Sequence, residues 1–555
     1  MCRPFIANHC TFDSVIATTC NMLRNPKHLY GPNENNIPAN LNLGDFLVKG
    51  LKQHGDKVAL INAVTEEQRT FNEIVQAAVN LAVSLVRLGV KKGDVVGVCA
   101  ENRLENWSIV MAVASTGAIV TPISIGYVKD ELKHILNISK PNYLFCSKQA
   151  YQIHEGVFKS LAFIKKTIFI DDDRPKGALC YKDLAIASTG SLIKKNVNVE
   201  EFIAVEVDGR IDSAFIMYSS GTTGLPKGVM ISHVNVIATC SVPEVCDPKL
   251  VVLNISPWYH AMGLMMMLVY MGNGAKTVFL PKFDIDVYLQ SIEKYKANQL
   301  ILVPPVILAL TKTDIKYDVS TVQVILSGAA VLQKDTIDAV KKKFPNLIDV
   351  YQGYGMTEAT VMITLNSHVN GKKCKPGSVG KVVNNTIVKI VDIDTREPLG
   401  PYETGELCFK SPMVMKGYIG KDRSADFDEE GFYKTGDIAY YDDEKYMYIV
   451  DRLKELVKYK GFQVPPAEIE TVLMQHPGIR DVGVVGLPDD DAGELPLAFV
   501  VPQIGANPTE KELKDFVAER LSNPKHLRGG VRFVKEIPKN PSGKILRKVL
   551  RQMLK

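Results

Sequence analysis

One glycine-rich and hydroxyl-rich segment, residues 218–228, constrains this chain of 555 residues more than any other stretch. Its sequence is YSSGTTGLPKG, and it lies between two short apolar runs, 213–218 and 229–231. Glycines allow successive backbone N–H groups to turn toward one anion, hydroxyls add further donors, and a lysine adds positive charge. The segment therefore predicts a polyphosphate-binding loop made of Ser219, Ser220, Gly221, Thr222, Thr223, Gly224 and Lys227.

The spacing of this segment excludes a Walker-type phosphate loop. Lys227 is followed by Gly228 and not by the hydroxyl residue that such a loop uses for its metal ion. A flexible surface turn is the alternative for a Ser/Thr/Gly stretch considered by itself. Ser232, directly after the second apolar run, is predicted to cap a helix. The polyphosphate interpretation therefore depends on what the rest of the chain supplies.

Composition describes an ordinary globular protein. Hydrophobic residues make up 46% of the chain and charged residues 23%, and its length suits roughly three or four domain-sized units. The formal net charge of +5 comes from 66 basic and 61 acidic side chains without a large basic block. Nucleic acid is therefore not predicted as a partner, and no oligomeric state follows from the sequence.

Cysteine usage and the apolar segments bear on the cellular compartment. The ten cysteines are scattered without a Cys-x-x-Cys pair, which argues against a zinc site or a disulfide framework and for a reducing compartment. The most apolar run, 261–271, is too short to span a bilayer, and no export signal is predicted. The final letters, QMLK, differ from the Ser-Lys-Leu peroxisomal address. We expect a cytoplasmic location, with a peroxisomal location as the alternative.

Helix-like and strand-like segments alternate over much of the chain, which predicts α/β layers around a parallel sheet. The segment 71–88 has helical periodicity, and 95–99 and 119–123 are short apolar strands. From about 370 to 450 short strands are separated by Gly, Pro and Asp turns, which predicts a small β-rich unit. Residues 1 to about 40 are polar and are predicted to form a loosely held arm.

A site for a nucleoside triphosphate needs a phosphate cradle, a divalent cation and a ribose clamp. The segment YGMTE ends in Glu358, a carboxylate suited to Mg²⁺ beside a triphosphate. The segment KTGD ends in Asp437, a natural acceptor for a ribose diol. Each motif by itself has a plain alternative: a capping Thr357 with a surface glutamate, a common turn, or, around Lys460, a solvated basic turn.

Two more motif-like segments follow: DRLKELVKYKG at 451–461 and PSGK at 541–544. Five motifs between residues 219 and 544 together resemble the signatures of the adenylate-forming superfamily, which includes acyl-CoA synthetases, 4-coumarate–CoA ligases and beetle luciferases. The segments 486–496 and 527–534 are similar to the insect luciferase-like branch. The resemblance implies that Thr357 contacts phosphate, that Glu358 holds Mg²⁺, and that the ribose is bound by Asp437 and Arg452.

The resemblance also implies a two-step cycle in which two faces of a small domain alternate. Lys544 becomes the catalytic cation of adenylation, Lys454 the hinge, and Lys458 and Gly461 candidates for the second step. The implied fold has a large N-terminal domain of doubly wound α/β layers with a β-barrel-like unit, and a small mobile α+β C-terminal domain. The expected boundaries are 1–450 for the N-terminal domain, 451–454 for the hinge and 455–555 for the C-terminal domain.

The same resemblance places adenine between segments of small residues and an acyl pocket beside them. Residues implied at the adenine are Gly328, Ala329, Ala330, Gln352, Gly353 and Tyr354. Residues implied at the acyl pocket are His260, Met262, Val361 and Met362. His260 could orient the substrate carboxylate or close the tunnel, and a satisfied structural histidine is the alternative.

The acyl pocket distinguishes the candidate substrates. Beetle luciferases tend to have Phe where Met262 stands and smaller Ser and Ala where Val361 and Met362 stand, and an arginine that they use near luciferin has no evident counterpart between His233 and Val251. Apolar, flexible side chains suit a fatty acyl chain better than a rigid polar bicycle.

The sequence therefore predicts an ATP- and Mg²⁺-dependent carboxylic acid–CoA ligase for medium-chain or long-chain fatty acids, with coenzyme A as co-substrate. The alternatives are a luciferase-type oxygenase, a 4-coumarate-like ligase for aromatic acids and, third, an inactive nucleotide-binding relative.

Overall fold

The computed structural model shows a mixed α/β protein with a large N-terminal domain and a small C-terminal domain, which confirms the predicted fold class. It describes residues 25–32, 37–220, 226–242, 247–328, 330, 332, 334–366, 374–539 and 543–554.

The first sheet contains the hairpin on which the phosphate-binding segment lies. Counted over the described residues, it has eight strands in the spatial order Gly417–Tyr418, Pro226–Ser232, Ser213–Ser220, Ile119–Ile123, Val95–Cys99, Tyr143–Cys146, Lys166–Phe169 and Leu179–Cys180. The pairs from Ser213–Ser220 onward are parallel, as the alternation of helices and strands predicts. The first two pairs are antiparallel.

The second sheet brings the carboxyl ends of several parallel strands to one edge. In the described part of the chain it has nine strands, in the order Lys381–Val382, Thr364–Leu365, Asp349–Tyr354, Val324–Ser327, Gln299–Leu302, Val251–Asn254, Lys276–Phe279, Val58–Asn62 and Gln68–Thr70. The six strands from Asp349–Tyr354 to Val58–Asn62 are parallel. The carboxyl ends of parallel strands commonly form ligand sites, and Ser327 and Tyr354 lie at such ends.

Buried helices join these two sheets in one hydrophobic core. Helix Glu105–Ser115 is buried at every position after Glu105. The methionine-rich helix Ala261–Gly272 is buried from Gly263 to Met271 and packs in the same core. Its methionines fill interior space, as flexible thioether side chains commonly do.

Local sequence sets where individual helices begin and end. Thr70 and Glu73 form a reciprocal capping box at the start of helix Phe71–Arg87, and Gly89 follows its end with a φ of +97°. Ser232 caps the helix His233–Cys240 by accepting a hydrogen bond from Asn235 N, which confirms the predicted cap.

The third sheet is the β-rich unit. It is antiparallel, and within the described residues its strands are His28–Tyr30, Ile387–Val391, Gly405–Lys410, Tyr433–Tyr441 and Met447–Arg452. The prediction of a loose arm over residues 1 to about 40 is wrong for His28–Tyr30. These three residues form an edge strand because pairing with Ile387–Val391 satisfies their backbone hydrogen bonds. The His28 and Leu29 side chains are buried.

The C-terminal domain has its own sheet and core. Over the described residues the sheet follows the order Phe462–Val464, Val457–Tyr459, Gly493–Pro502 and Ile479–Asp489, and Gly530–Phe533 pairs in parallel with Gly493–Pro502. A separate cluster of buried apolar side chains lies beneath this sheet. This domain therefore buries a core independent of the N-terminal layers.

The other described helices are Leu43–Lys52, Lys129–Ser139, Lys148–Lys159, Tyr181–Ala185, Ile285–Tyr295, Pro304–Lys312, Lys334–Lys343, Pro466–Leu473, Glu510–Ala518 and Arg547–Gln552. Short 3-10 turns are Val199–Glu201, Thr357–Ala359, Ser424–Asp426 and Asn523–Lys525. Among the residues that the structure describes, none of the helices combines the length and the apolar character that a membrane crossing requires.

Candidate active site

The predicted phosphate-binding segment lies on a β-hairpin. The strands Ser213–Ser220 and Pro226–Ser232 are antiparallel, and Ser219 lies opposite Lys227. Lys227 is therefore part of a strand and not of the loop in which the sequence places it. The Ser220 side chain and the predicted phosphate contacts Gly221, Thr222, Thr223 and Gly224 lie outside the described residues.

Glu358 lies beside this hairpin in a nearly closed environment. Its side chain belongs to the 3-10 turn that begins at Thr357, and the residue is only 5% exposed. The Ser219 hydroxyl donates to Glu358 Oε1 at 2.7 Å, and the Tyr418 hydroxyl donates to the same oxygen at 2.8 Å. The sequence-predicted Ser219 and Glu358 are thus brought into direct contact.

The same neighbourhood holds Lys227. Its ammonium group lies 4.7 Å from the centroid of the Tyr418 ring. Burial lowers the pKa of Lys227, and the positive charge of Lys421 lowers it further. Tyr418 thus contacts both the Lys227 ammonium group and the Glu358 carboxylate. The region around these two residues and Ser219 is the predicted phosphate end of the site.

The residues at this end suit Mg²⁺. A divalent magnesium ion binds one or two carboxylates together with phosphate oxygens. Glu358 is a buried carboxylate whose orientation is held by two hydroxyl donors, close to a lysine suited to phosphate. This donor set fits the ion that the family resemblance implies.

The predicted ribose end of the site, which contains Asp437 and Arg452, is built on two paired strands of the third sheet. Asp437 in Tyr433–Tyr441 lies opposite Arg452 in Met447–Arg452, and Arg452 Nε is 3.1 Å from Asp437 Oδ1. The Tyr354 hydroxyl donates to Asp437 Oδ2 at 2.6 Å. Burial and the negative charge of Asp437 raise the pKa of Tyr354, so its hydroxyl stays a donor. The predicted adenine-side and ribose-side residues therefore meet at one carboxylate.

Lys544 reaches this end from the C-terminal domain. Burial lowers its pKa to about 8, with Arg452 as the next cause, while Glu455 and Asp437 act in the opposite direction. The preceding residue, Gly543, has a φ of +84°, and a Cβ placed on it would lie 2.3 Å from Pro305 Cγ. Pro305 belongs to helix Pro304–Lys312, so the lysine-bearing segment is packed against the N-terminal domain.

The adenine-side residues form part of the edge of the second sheet. Gln352 is buried, and its Oε1 accepts a hydrogen bond from Leu332 N at 2.7 Å. Gly353 lies next to Tyr354 and pairs with Leu365. Ala330 is exposed, and Ala329 lies outside the described residues. Gln352 thus holds the neighbouring segment in place.

The acyl-side residues lie close to the adenine side. A Cβ placed on Gly328 would lie 3.4 Å from the Met262 sulfur, so these two predicted site residues face each other. His260 occupies the cap position before helix Ala261–Gly272, and its ring lies 4.8 Å from that of Tyr259. The His260 side chain is exposed on one side. Protein atoms around the rest of the ring desolvate it and lower its pKa.

The backbone before Met362 is strained. Val361 has a φ of +111° and Thr360 a φ of +51°, values that a β-branched residue rarely adopts. Thr360 Oγ1 donates to Met413 O at 2.6 Å and Val361 N donates to Met356 O at 3.1 Å, which holds the segment in place. Met362 is buried, at 6% exposure, whereas Val361 is half-buried. Strain of this kind clusters at functional sites.

The residues expected to serve the second step lie on a different part of the C-terminal domain. Lys458 is exposed on the strand Val457–Tyr459, and its backbone N donates to Glu494 Oε2 at 2.8 Å. Gly461, with a φ of +81°, completes the turn of the same hairpin, and a Cβ there would meet open space. Lys454 is exposed just after Met447–Arg452. Lys458 and Gly461 are thus not among the residues that the structure groups around Glu358 and Asp437.

Sequence reasoning missed two groups of residues. Tyr418 contacts Glu358, and its hydroxyl is 3.1 Å from that of Tyr433. Arg547 is buried with two carboxylates, at 2.7 Å from Glu470 Oε2 and 3.0 Å from Glu455 Oε2. Tyr418 lies in the strand Gly417–Tyr418, and two residues are too few to give a strand pattern in the sequence. Arg547 begins the basic helix Arg547–Gln552, whose sequence is typical of a solvent-exposed helix.

Comparison with known proteins shows to which family a chain with this fold and this site belongs. Residues 47–419 match the AMP-binding enzyme family, and residues 468–544 match the AMP-binding enzyme C-terminal domain. The chain belongs to the AMP-binding enzyme family.

Relatives of two activities are similar to the whole chain. Luciferin 4-monooxygenase of Photuris pensylvanica is 40% identical, over 95% of this chain and 97% of its own length. The 4-coumarate–CoA ligase of Pinus taeda is 36% identical, over 96% of this chain and 99% of its own length. The solved structure of ATP-bound MatB from Rhodopseudomonas palustris is 28% identical with a TM-score of 0.82, and the match covers 92% of this chain and 99% of that one.

Proposed function

We propose that the protein is an ATP- and Mg²⁺-dependent carboxylic acid–CoA ligase. In the first step a substrate carboxylate oxygen bonds to the α-phosphorus of ATP and pyrophosphate leaves. In the second step the thiolate of coenzyme A bonds to the acyl carbon and AMP leaves. The observation that carries the proposal is the approach of the half-buried Lys544, from the C-terminal domain, to Asp437 and Arg452, because it supports a role for this cation beside the proposed ribose contacts.

The phosphate end of the site has three tasks in the first step. Ser219 and Lys227 face the polyphosphate, and Thr357 offers a hydroxyl from the start of its 3-10 turn. Glu358 would hold Mg²⁺, which neutralises phosphate charge when bound. The proximity of Ser219 and Lys227 to Glu358 supports this division of roles.

The ribose end orients the α-phosphoryl group. Asp437 accepts the ribose hydroxyls in place of its present hydrogen bond from Tyr354, and the contact with Arg452 keeps the carboxylate aligned. Lys544 then stabilises the negative charge that develops between the substrate carboxylate and the α-phosphate. Burial lowers the pKa of Lys544 to about 8, so the residue loses this charge as the pH rises through that value.

The second step uses a different face of the C-terminal domain. We expect residues 455–555 to rotate about the hinge 451–454 relative to residues 1–450, which brings Lys458 and Gly461 to the adenylate. The exposure of Lys458 and the open surroundings of Gly461 support this role, because a face that docks only in the second step is free in the first.

The proposed acid is a medium-chain or long-chain fatty acid. Met262, beside Gly328, and the buried Met362 support an apolar, adaptable pocket, and His260 is placed to meet the carboxylate end. A fatty acyl chain, unlike a hydroxylated aromatic acid, requires no polar partner inside the pocket.

Two further candidate functions come from the relatives. The similarity to Photuris pensylvanica luciferin 4-monooxygenase favours an oxygenase that shares the adenylation step, and the similarity to the Pinus taeda enzyme favours an aromatic acid ligase. An inactive nucleotide-binding relative is the weakest candidate, because the chain retains Lys227, Glu358, Asp437, Arg452 and Lys544. We place the protein in the cytoplasm on its scattered cysteines, with small molecules as its partners.

A panel of acids tests the proposed function. Purified protein is incubated with ATP, Mg²⁺ and medium-chain, long-chain or cinnamate-like acids, with and without coenzyme A, and products are measured by mass spectrometry. A parallel reaction contains luciferin and is followed in a luminometer. We expect acyl-CoA from the fatty acids only when coenzyme A is present. Light without any thioester would favour the oxygenase, and no product from any acid would contradict enzymatic activity.

A further inference from the structure

We propose that Tyr418 is the positioning residue of the phosphate end, whose hydroxyl orients the Glu358 carboxylate and whose ring holds the Lys227 ammonium group. The inference rests on the proposed function, since it takes Glu358 as the Mg²⁺ ligand and Lys227 as a polyphosphate contact. Tyr418 belongs to none of the motifs that the sequence singles out.

The hydroxyl of Tyr418 has a defined direction. It donates to Glu358 Oε1 at 2.8 Å, and because it has a single proton, the neighbouring Tyr433 hydroxyl at 3.1 Å must donate to it. Ser219 donates to the same Oε1 at 2.7 Å. Both side-chain hydrogen bonds that the described residues give Glu358 thus end on one oxygen, which orients Oε2 as the oxygen for a cation.

The ring of Tyr418 acts on the other member of the pair. Lys227 Nζ lies 4.7 Å from the ring centroid, within the range of a cation–π contact. An aromatic face holds an ammonium group without neutralising its charge, as a carboxylate partner would. The Tyr418 ring therefore restricts the position of Lys227 and leaves its ammonium group available to a phosphate oxygen.

The backbone around Tyr418 supports this position from two sides. Tyr418 pairs with Val229 in the hairpin strand that contains Lys227, and Ile419 N donates to Gly228 O at 2.9 Å. Three residues earlier, Met415 N donates to Glu358 O at 2.8 Å. One short segment is consequently tied to both phosphate-end residues before any ligand binds.

The Tyr433 hydroxyl extends this arrangement to the ribose end. Tyr433 begins the strand Tyr433–Tyr441, which also contains Asp437. Tyr418 is 7% exposed and Tyr433 4% exposed, so water does not compete for their hydrogen bond. The chain from Tyr433 through Tyr418 to Glu358 connects the first and third sheets and thereby couples the spacing of the phosphate and ribose ends.

Calorimetric titration of the full-length protein with ATP, in excess Mg²⁺ and again in EDTA, separates this role from a purely structural one. Tyr418→Phe keeps the ring and removes the hydroxyl. We expect it to weaken binding of Mg²⁺-ATP about tenfold, the usual value of a hydrogen bond to a charged group, and to change binding of metal-free ATP less than about twofold. Tyr441→Phe is the control. Tyr441 is a buried tyrosine in the same strand as Asp437, but its hydroxyl donates to Leu399 O at 3.2 Å and not to Glu358. Tyr441→Phe should change neither titration.

Further variants isolate the ring and the relay. Tyr418→Leu removes the hydroxyl and the aromatic ring. Besides the loss seen with Tyr418→Phe, we expect it to weaken the binding of metal-free ATP about threefold, because the contact with Lys227 is lost. Tyr433→Phe removes only the donor to Tyr418 and should give a smaller loss that is again specific to Mg²⁺. Circular dichroism and thermal unfolding verify that each variant is folded. If a Tyr418 variant does not fold, the Mg²⁺-specific loss is tested with Tyr433→Phe instead.

The outcomes distinguish this inference from the proposed function. If Glu358→Gln abolishes the gain in affinity that Mg²⁺ provides but Tyr418→Phe retains it, the positioning role of Tyr418 is wrong and the metal assignment stands. If Glu358→Gln also retains the gain, the metal assignment of the proposed function is wrong and the inference falls with it. An equal loss for Tyr418→Phe with and without Mg²⁺ would overturn the positioning role in favour of a structural one.

Discussion

Lys544 is subject to opposing effects that give it a useful titration range. Burial, then Arg452, lowers its pKa to about 8, whereas a solvated lysine titrates near 10.4. The protonated fraction in the free protein therefore falls as the pH rises through about 8. We expect kcat/KM of adenylation, measured by ATP–pyrophosphate exchange, to fall along the same limb. Lys544→Arg should remove this limb, because arginine stays protonated; an unchanged limb in that variant would contradict the assignment.

Removal of the Lys544 ammonium group is expected to affect the two half-reactions unequally. Lys544→Ala should slow formation of acyl-AMP by about 10²–10³-fold, the usual cost of one preorganised electrostatic contact to a transition state. Thioester formation from supplied acyl-AMP should change much less, since we propose that Lys458 and Gly461, and not Lys544, act in that step. Rapid-quench measurement of each half-reaction tests this, and equal losses in both would contradict the division of labour.

Among the structural elements, the turn before Lys544 controls how closely the C-terminal domain approaches helix Pro304–Lys312. Gly543→Ala would place a methyl group 2.3 Å from Pro305 Cγ at a φ of +84°. Gly505→Ala is a matched control, because Gly505 has a φ of +81° with no atom within 4 Å. Both substitutions should lower the free energy of unfolding by about 1–2 kcal/mol through backbone strain.

We expect only Gly543→Ala to slow adenylation, because only this substitution prevents the approach of the two domains. Thermal unfolding and the two half-reactions are measured for both variants. Similar adenylation rates in Gly543→Ala and Gly505→Ala would show that the packing against Pro305 has no part in the first step.

The helix Arg547–Gln552 is anchored by a buried ion-pair network. Arg547 is bound by Glu470 in a two-pronged contact and by Glu455, and it is 8% exposed. Arg547→Met leaves two carboxylates without their cation, and we expect the free energy of unfolding of the C-terminal domain to fall by roughly 3–5 kcal/mol. Lys539→Met removes the more exposed pair with Asp481 and should cost less than about 1 kcal/mol. Urea unfolding of both variants checks the contrast, and equal midpoints would contradict it.

At the scale of the whole molecule, elements with a strong local signal were predictable from sequence. The strands Val95–Cys99 and Ile119–Ile123 match the predicted segments, because short apolar runs between turn residues are typical of buried strands. The polar motifs also led to Glu358 and Asp437, since the chemistry of phosphate and ribose binding restricts the residue types.

Features that depend on contacts between distant segments could not be predicted. The strand His28–Tyr30 exists because Ile387–Val391 offers it a free edge, and three residues carry no periodicity. Tyr418 and Arg547 gain their importance from partners between 60 and 92 residues away in the chain, which local patterns do not reveal. The exact acid depends on the shape of a pocket that side-chain packing, and not residue type alone, determines.

The account as a whole depends on the fate of the adenylate. The most direct test supplies purified protein with the preformed acyl-AMP of a medium-chain fatty acid, with and without coenzyme A, in air and under anaerobic conditions, and follows products by mass spectrometry. The account predicts conversion to acyl-CoA and AMP that requires coenzyme A and proceeds equally without oxygen. Consumption of the adenylate that requires oxygen and ignores coenzyme A would contradict it.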